Sequence, residues 1–240
     1  MNTVEMTDQE VAEQIRELNE GRAKTYALLS RLYRTEVDRE LLDAMRGMRF
    51  PADSGNAKMD EGHRLIVGQL STVWENTLSE LAIDYARVFL GGGIDGYSAA
   101  YPFESVYTSP RRLLMQDARD EVVALYRSEG IDKAEGWTEG EDHISLELEF
   151  MRRLAERANE ALAVKGEATA PTQEGLEEAF RLMQTQRAFM EEHLCAWVPM
   201  LTSDMLRFAR TRLYRGLAFV TEGFLESDRE FLASVLGSER

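Results

Sequence analysis

Apolar residues recur at helical spacing along nearly the whole chain, and strict alternation never persists beyond a few residues. This property confines the chain to all-α folds, because side chains repeat every two residues along a strand and every 3.6 along a helix. Val11, Ile15 and Leu18, then Tyr26, Leu29, Leu32 and Tyr33, trace a first helical segment. It opens on Thr7-x-x-Glu10, a pattern that satisfies free N–H groups at a helix start. Gly21 predicts an interruption or bend in it. A short helix is predicted over 38–48, closed by Phe50-Pro51. A long helix is predicted over 62–90, with Ile66, Leu70, Val73, Trp74, Leu78, Leu81, Tyr85, Val88 and Phe89 on one broad face. Gly91-Gly92-Gly93 stops it, and a loop follows from Ile94 to Tyr107 with Gly96 and Pro102. Further helices are predicted over 110–129, 142–163, 176–197, 202–222 and 228–236, with Pro199 as a break or kink. The stretch 164–175 carries Gly166, Pro171 and Gly175 and reads as a hinge. The expectation is one all-α domain over 1–240, a single globular bundle of about nine or ten helices.

Charge narrows the partners. The chain carries 43 Asp and Glu against 28 Lys and Arg, a formal charge of −15. Such a surface repels nucleic-acid phosphates and attracts basic partners, such as an arginine-bearing peptide. The same charge also serves solubility alone. The segment 1–14 is acidic and lacks the apolar core of a secretory signal, and no run of about 18 apolar residues predicts a membrane span. A cytoplasmic location is expected. The single cysteine, Cys195, excludes an internal disulfide.

Enzyme chemistry finds little support. The three histidines are His63, His143 and His193, and the residues three before them are Asp60, Gly140 and Met190. A di-iron bundle needs paired Glu-x-x-His motifs, so that pattern fails. Zinc needs clustered cysteine or histidine, which is absent. His193 and Cys195 are two apart, and on a helix they point in different directions. The glycines at 91–93 follow a helix, whereas a phosphate cradle follows a strand and precedes one. No catalytic, metal or cofactor-binding residue is expected.

The predicted helix from Asp142 contains an anomaly. With Ile144 at zero, Leu148, Met151 and Ala155 lie within about 40°, at about 100° per residue. Leu146, Phe150 and Leu154 widen the apolar arc, and Ser145, Glu149, Arg152 and Glu156 take the polar side. His143 and Glu147 fall inside the apolar arc, four apart, so their side chains can meet. A carboxylate there is costly unless paired. The pair either locks packing or receives a ligand. Asp142 reads as the N-cap.

These residues carry a resemblance. Glu139-Gly140-Glu141-Asp142-His143, then Ile144-Ser-Leu-Glu147-Leu148-Glu-Phe150-Met151, resembles the signature of TorD/DmsD-type chaperones for molybdenum redox enzymes. Three further stretches agree in order: Asp84-Tyr85-Ala-Arg-Val-Phe89-Leu90, Tyr101-Pro102-Phe103-Glu104-Ser105-Val106-Tyr107, and His193-Leu194-x-x-Trp197-x-Pro199. Gly140 departs from the signature, which has proline there. The resemblance implies a non-enzymatic cytoplasmic chaperone. It would bind the twin-arginine leader, or the apo form, of a DMSO-reductase-type molybdoenzyme catalytic subunit, assist cofactor insertion and prevent premature export. It assigns peptide binding to Tyr101, Pro102, Glu104, Ser105, Tyr107, Asp142 and His143. Glu141 and Glu147 join them because carboxylates hold a guanidinium in bidentate fashion. Domain-swapped dimers occur in such families, so a monomer or an exchange at 164–175 is expected. Two rivals stay open: a NarJ-like assembly chaperone for a subunit that is not exported, and a helical metal or thiol enzyme.

Overall fold

The computed structural model describes residues 8–91, 99–133, 136–164 and 170–237. Thr7 of the predicted capping box, Gly92, Gly93 and Gly96 of the glycine-rich loop, and 165–169 of the predicted hinge lie outside them. The described residues form ten α-helices: α1 (Asp8–Arg34), α2 (Arg39–Gly47), α3 (Ala57–Leu70), α4 (Thr77–Phe89), α5 (Glu104–Thr108), α6 (Asp117–Ser128), α7 (Ile144–Ala161), α8 (Gln173–Phe189), α9 (Cys195–Phe208) and α10 (Arg212–Leu236). A π-helical turn, Met190–Leu194, joins α8 to α9. No strand occurs among the described residues; the one isolated bridge pairs Phe103 with His143. The fold is all-α. No described helix is long and apolar enough to cross a membrane.

Helix α7 packs along both α1 and α8, while α10 packs along α3 and α9. The α3–α10 approach depends on missing side chains. A Cβ on Gly62 would stand 2.8 Å from the Gly216 carbonyl oxygen, and one on Gly216 would stand 2.8 Å from that of Gly62. Tyr33, Tyr85, Phe89 and Tyr214 form one aromatic cluster of the core, and Tyr126, Phe150 and Phe189 another.

Several boundaries differ from the sequence expectation. Helix α1 runs unbroken through Gly21. The single helix predicted over 62–90 is two. Ser71 Oγ and Thr72 Oγ1 bond back to the Val67 and Gly68 carbonyls at 2.7 and 3.1 Å and end α3. Trp74 sits in the turn, 52% exposed, and not on the buried face. Helix α6 begins at Asp117 and not at Pro110. Residues 109–116 instead form an irregular strap, with Arg112 (φ 51°) and Met115 (φ 59°) in the left-handed region. That conformation costs a side chain about 1–2 kcal/mol.

Pro199 does not end a helix; α9 continues through it. The wide π turn just ahead relaxes the chain where the proline ring crowds the carbonyl four residues back. The break falls at 209–211, where Asp84 of α4 supplies the cap. Its carboxylate accepts from Arg210 N at 3.0 Å, Thr211 N at 2.7 Å and Thr211 Oγ1 at 2.7 Å. The predicted last helix, 228–236, is the end of α10.

Candidate functional site

Three of the four sequence stretches meet in one place. The segment 101–103 lies extended against 140–143. Ile144 N donates to the Pro102 carbonyl at 2.9 Å, and Glu104 N to that of Asp142 at 3.0 Å. Asp142 was expected to cap α7. Its Oδ2 instead accepts from Ser105 N at 2.9 Å and caps α5. The α7 cap is His143, whose Nδ1 accepts from Ser145 N at 3.1 Å. An accepting Nδ1 fixes the neutral ring with its proton on Nε2, and burial lowers the His143 pKa to about 3.

Glu147 does not turn to His143. Its Oε2 accepts from Trp197 Nε1 at 3.1 Å. Burial first, and then the charge of the neighbouring Glu104, push its pKa well above the usual carboxylate range; Trp197 opposes this and Asp142 adds to it. Glu104 in turn faces His193, with Nδ1 at 3.0 and 3.1 Å from its two oxygens. The π turn carries His193 into this position. Three carboxyl groups, of Glu104, Asp142 and Glu147, thus gather in the interior. Asp142 Oδ1 and Glu147 Oε1 are buried without a hydrogen bond of normal geometry.

The expected site residues divide by exposure. Pro102, Glu104, Ser105, Glu141, Asp142, His143 and Glu147 are buried, and Tyr101 and Tyr107 are half-buried. Glu141 stands apart from the carboxyl knot, tied outward to Lys133 Nζ at 2.7 Å and Arg119 Nε at 2.6 Å. Burial raises its pKa, but these two partners outweigh burial and hold it at about 2. Tyr107 stacks on Trp197, centroids 5.6 Å apart. Its hydroxyl donates to Asp204 Oδ2 at 3.2 Å. Burial and the Asp204 charge push the Tyr107 pKa up. The Tyr101 hydroxyl lies 2.7 Å from where a Cβ on Gly91 would be, and Gly91 has φ +67°. A Cβ on Gly140 would stand 2.8 Å from Asp142 Oδ1. A proline there, as in the signature, requires the Asp142 carboxylate to sit elsewhere.

Four participants escaped the sequence reading as site residues. His193 and Trp197 were visible as members of the last motif, and His193 otherwise only in the metal and thiol patterns that failed. Asp204 and Trp137 carried no signal. Trp137 packs edge-on against His143 at 5.5 Å and borders a cavity of about 320 Å³. Tyr126 and Phe150 line this cavity with Arg34, Lys133 and Arg153, and Asp132 and Glu149 also line it. Among the described residues, no group of three or more His, Cys, Asp and Glu could hold a metal.

Comparison with known proteins gives the same direction. The family profile of the nitrate reductase delta subunit matches residues 53–203, more than half the chain. The chaperone protein TorD of Vibrio vulnificus is 26% identical over 232 residues, 92% of this chain and 98% of that protein. The protein of the same name from Photobacterium profundum is 29% identical over 228 residues, 92% and 97% of the two chains. That from Aliivibrio salmonicida is 26% identical over 221 residues, 90% and 96%.

Proposed function

The chain belongs to the nitrate reductase delta subunit family, and we propose that within it the protein is a maturation chaperone and not an enzyme. It binds the twin-arginine leader, or the apo form, of a molybdoenzyme catalytic subunit in the cytoplasm. Binding shields the client during cofactor insertion and delays its export. The relatives' name supports the chaperone role. The observation that carries the peptide reading is the meeting of 101–107, 142–147 and 193–197 around one carboxyl knot beneath a half-buried tyrosine face. The knot shapes the 101–107 segment, and the tyrosines and outer carboxylates meet the peptide. A leader offers arginines and an apolar stretch, which suit carboxylates, aromatic faces and the Trp137 cavity.

The chain is read as one domain working as a monomer, with 164–175 as the place where an exchange between protomers would hinge. Light scattering on the purified protein decides between monomer and dimer. For function, calorimetric titration with the leader of the molybdoenzyme encoded in the same genome is expected to give saturable one-to-one binding. If neither leader nor full-length apo subunit binds, the reading is wrong. The nitrate reductase delta subunit match also favours a second reading, assembly of a subunit with no exported leader. Binding of the apo subunit with no binding of its N-terminal peptide would select it.

A further inference from the structure

The strap between α5 and α6 contains two adjacent arginines followed by three apolar residues, Arg111-Arg112-Leu113-Leu114-Met115. Arg112 is folded back onto the surface of the candidate site. Its Nη2 donates to Asp204 Oδ2 at 3.1 Å, and its guanidinium carbon stands 5.1 Å from the centroid of the Tyr107 ring. The same Asp204 oxygen accepts from the Tyr107 hydroxyl. A carboxylate beside an aromatic face is the arrangement that holds a guanidinium. The ring is fixed from behind, because Tyr107 stacks on Trp197 and Trp197 Nε1 is bound to Glu147. The buried knot therefore sets the position of an arginine-binding surface.

We propose that Tyr107 and Asp204 form a guanidinium subsite for an arginine of the client peptide, and that Arg112 fills this subsite in cis until the client displaces it. The proposal rests on the leader-binding reading for the identity of the client.

The strap is built to be displaced. Leu113, Leu114 and Met115 are 45–57% exposed, so their side chains do not anchor it in the core. Arg112 and Met115 adopt left-handed backbone that neither side chain favours, so release relieves strain. Beyond the Arg112 side chain, the strap is bonded to α5 by Ser109 N to the Ser105 carbonyl and Gln116 N to Ser105 Oγ, while the bonds of Arg112 N to the Ser109 carbonyl and Leu113 N to Ser109 Oγ lie within it. The side chains of Arg112 and Asp204 are 55% and 23% exposed, so another arginine reaches the carboxylate without opening the core. An ion pair this exposed contributes little to folding and exchanges readily.

The test uses the full chain and a fluorescent octapeptide copied from 109–116, Ser-Pro-Arg-Arg-Leu-Leu-Met-Gln, titrated by anisotropy. The wild-type protein is expected to bind it weakly. Arg112→Ala, and Arg112→Gly, which keeps the left-handed backbone accessible, bind it about threefold more tightly, because the competent state is no longer occupied in cis. Adding Asp204→Asn to either variant abolishes the gain, and the peptide with glutamine at both arginine positions fails to bind. If neither Arg112 variant gains affinity, or if the gain survives Asp204→Asn, the proposal is overturned. A twin-arginine leader in the same assay separates the two readings. Self-peptide binding that obeys these rules while no leader binds any variant keeps the subsite and sinks the leader reading. Leader binding indifferent to both Arg112→Gly and Asp204→Asn keeps the leader reading and sinks the subsite.

Discussion

Two polar knots lie in this interior and are built on opposite terms. In the first, Arg22 of α1 meets Asp228 of α10. Asp228 Oδ1 accepts from Arg22 Nε, and Oδ2 accepts from Arg22 Nη2 at 3.0 Å and from the Tyr26 hydroxyl at 2.6 Å. Arg22 also donates to Gln186 Oε1 at 2.6 Å and to Asn19 Oδ1, and it covers the Phe231 ring. One positive group meets one negative group, and both carboxylate oxygens are taken. The second knot holds three carboxyls, of Glu104, Asp142 and Glu147, crowded so that Glu147 keeps its proton beside Glu104, with ring and backbone N–H groups as the other donors and Asp142 Oδ1 unbonded. The first knot clamps α1, α8 and α10 together. The second is poorly balanced for stability alone, and it sits under the segment that presents Tyr107. Proteins tolerate such imbalance mainly where function requires it.

Breaking the balanced knot has the largest expected effect. Asp228→Ala leaves a buried guanidinium without its counter-charge, and the loss is about 3–5 kcal/mol. Denaturant unfolding followed by circular dichroism measures it. Replacing both partners, Arg22→Met with Asp228→Leu, is expected to cost much less, because no charge is then left unpaired. A double variant as unstable as the single one would mean that the knot is not a charge clamp.

The unbalanced knot is expected to declare itself through pH, with an effect of up to about 1.4 kcal/mol per pH unit for each proton. Glu147 has its folded pKa raised above its ordinary 4.5, so the folded state keeps a proton that the unfolded chain releases. Its contribution is full below 4.5 and is lost as pH rises through the folded pKa. His143 has its folded pKa lowered from 6.5 to about 3, so the unfolded chain takes up the proton first. Its contribution is full above 6.5 and is lost as pH falls toward 3. The two slopes oppose each other between 4.5 and 6.5, and only Glu147 acts above that window. Glu147→Gln removes the loss on the alkaline side. His143→Asn keeps an acceptor for the α7 cap and removes the loss on the acid side. Thermal melts from pH 3 to pH 9 read both, and an unchanged alkaline slope in Glu147→Gln would show that the surplus charge lies elsewhere.

The helices and the oddity of the second knot were legible in the sequence, but its wiring was not. Periodicity located α1, α2 and α7, and the wheel set His143 and Glu147 in an apolar arc. A wheel describes one helix, so it paired these two residues with each other. The actual partners of Glu147 are Trp197, fifty positions along, and the charge of Glu104 on the distant 101–107 segment. Local propensity made Asp142 a cap for the helix that follows it, and its carboxylate caps α5 instead, 37 positions back. Pro199 read as a break or kink because a π turn carries no simple sequence mark. Ser71 and Thr72 end α3 through side-chain bonds that apolar periodicity does not register. Asp204 belongs to no motif, and its relation to Tyr107 and Arg112 exists only after α5 and α9 have packed.

The smallest expected effect sharpens the comparison most finely. Gly140 is where this chain departs from the proline of the signature, and a Cβ there would stand 2.8 Å from Asp142 Oδ1 and 3.6 Å from the Phe103 ring. The obstacle is the free end of a side chain whose Oδ1 has no hydrogen bond to lose. Gly140→Ala therefore displaces the carboxylate, weakens the Oδ2 bond to Ser105 N, and costs no more than about 1 kcal/mol. A comparable intrusion into the balanced knot would meet a carboxylate with both oxygens bonded and nowhere to go. Leader affinity is expected to change more than melting temperature in Gly140→Ala, because the shift passes through α5 to Tyr107. A variant that loses several kcal/mol instead would mean that the Asp142 carboxylate is as rigidly held as Asp228, and the contrast between the two knots would fail.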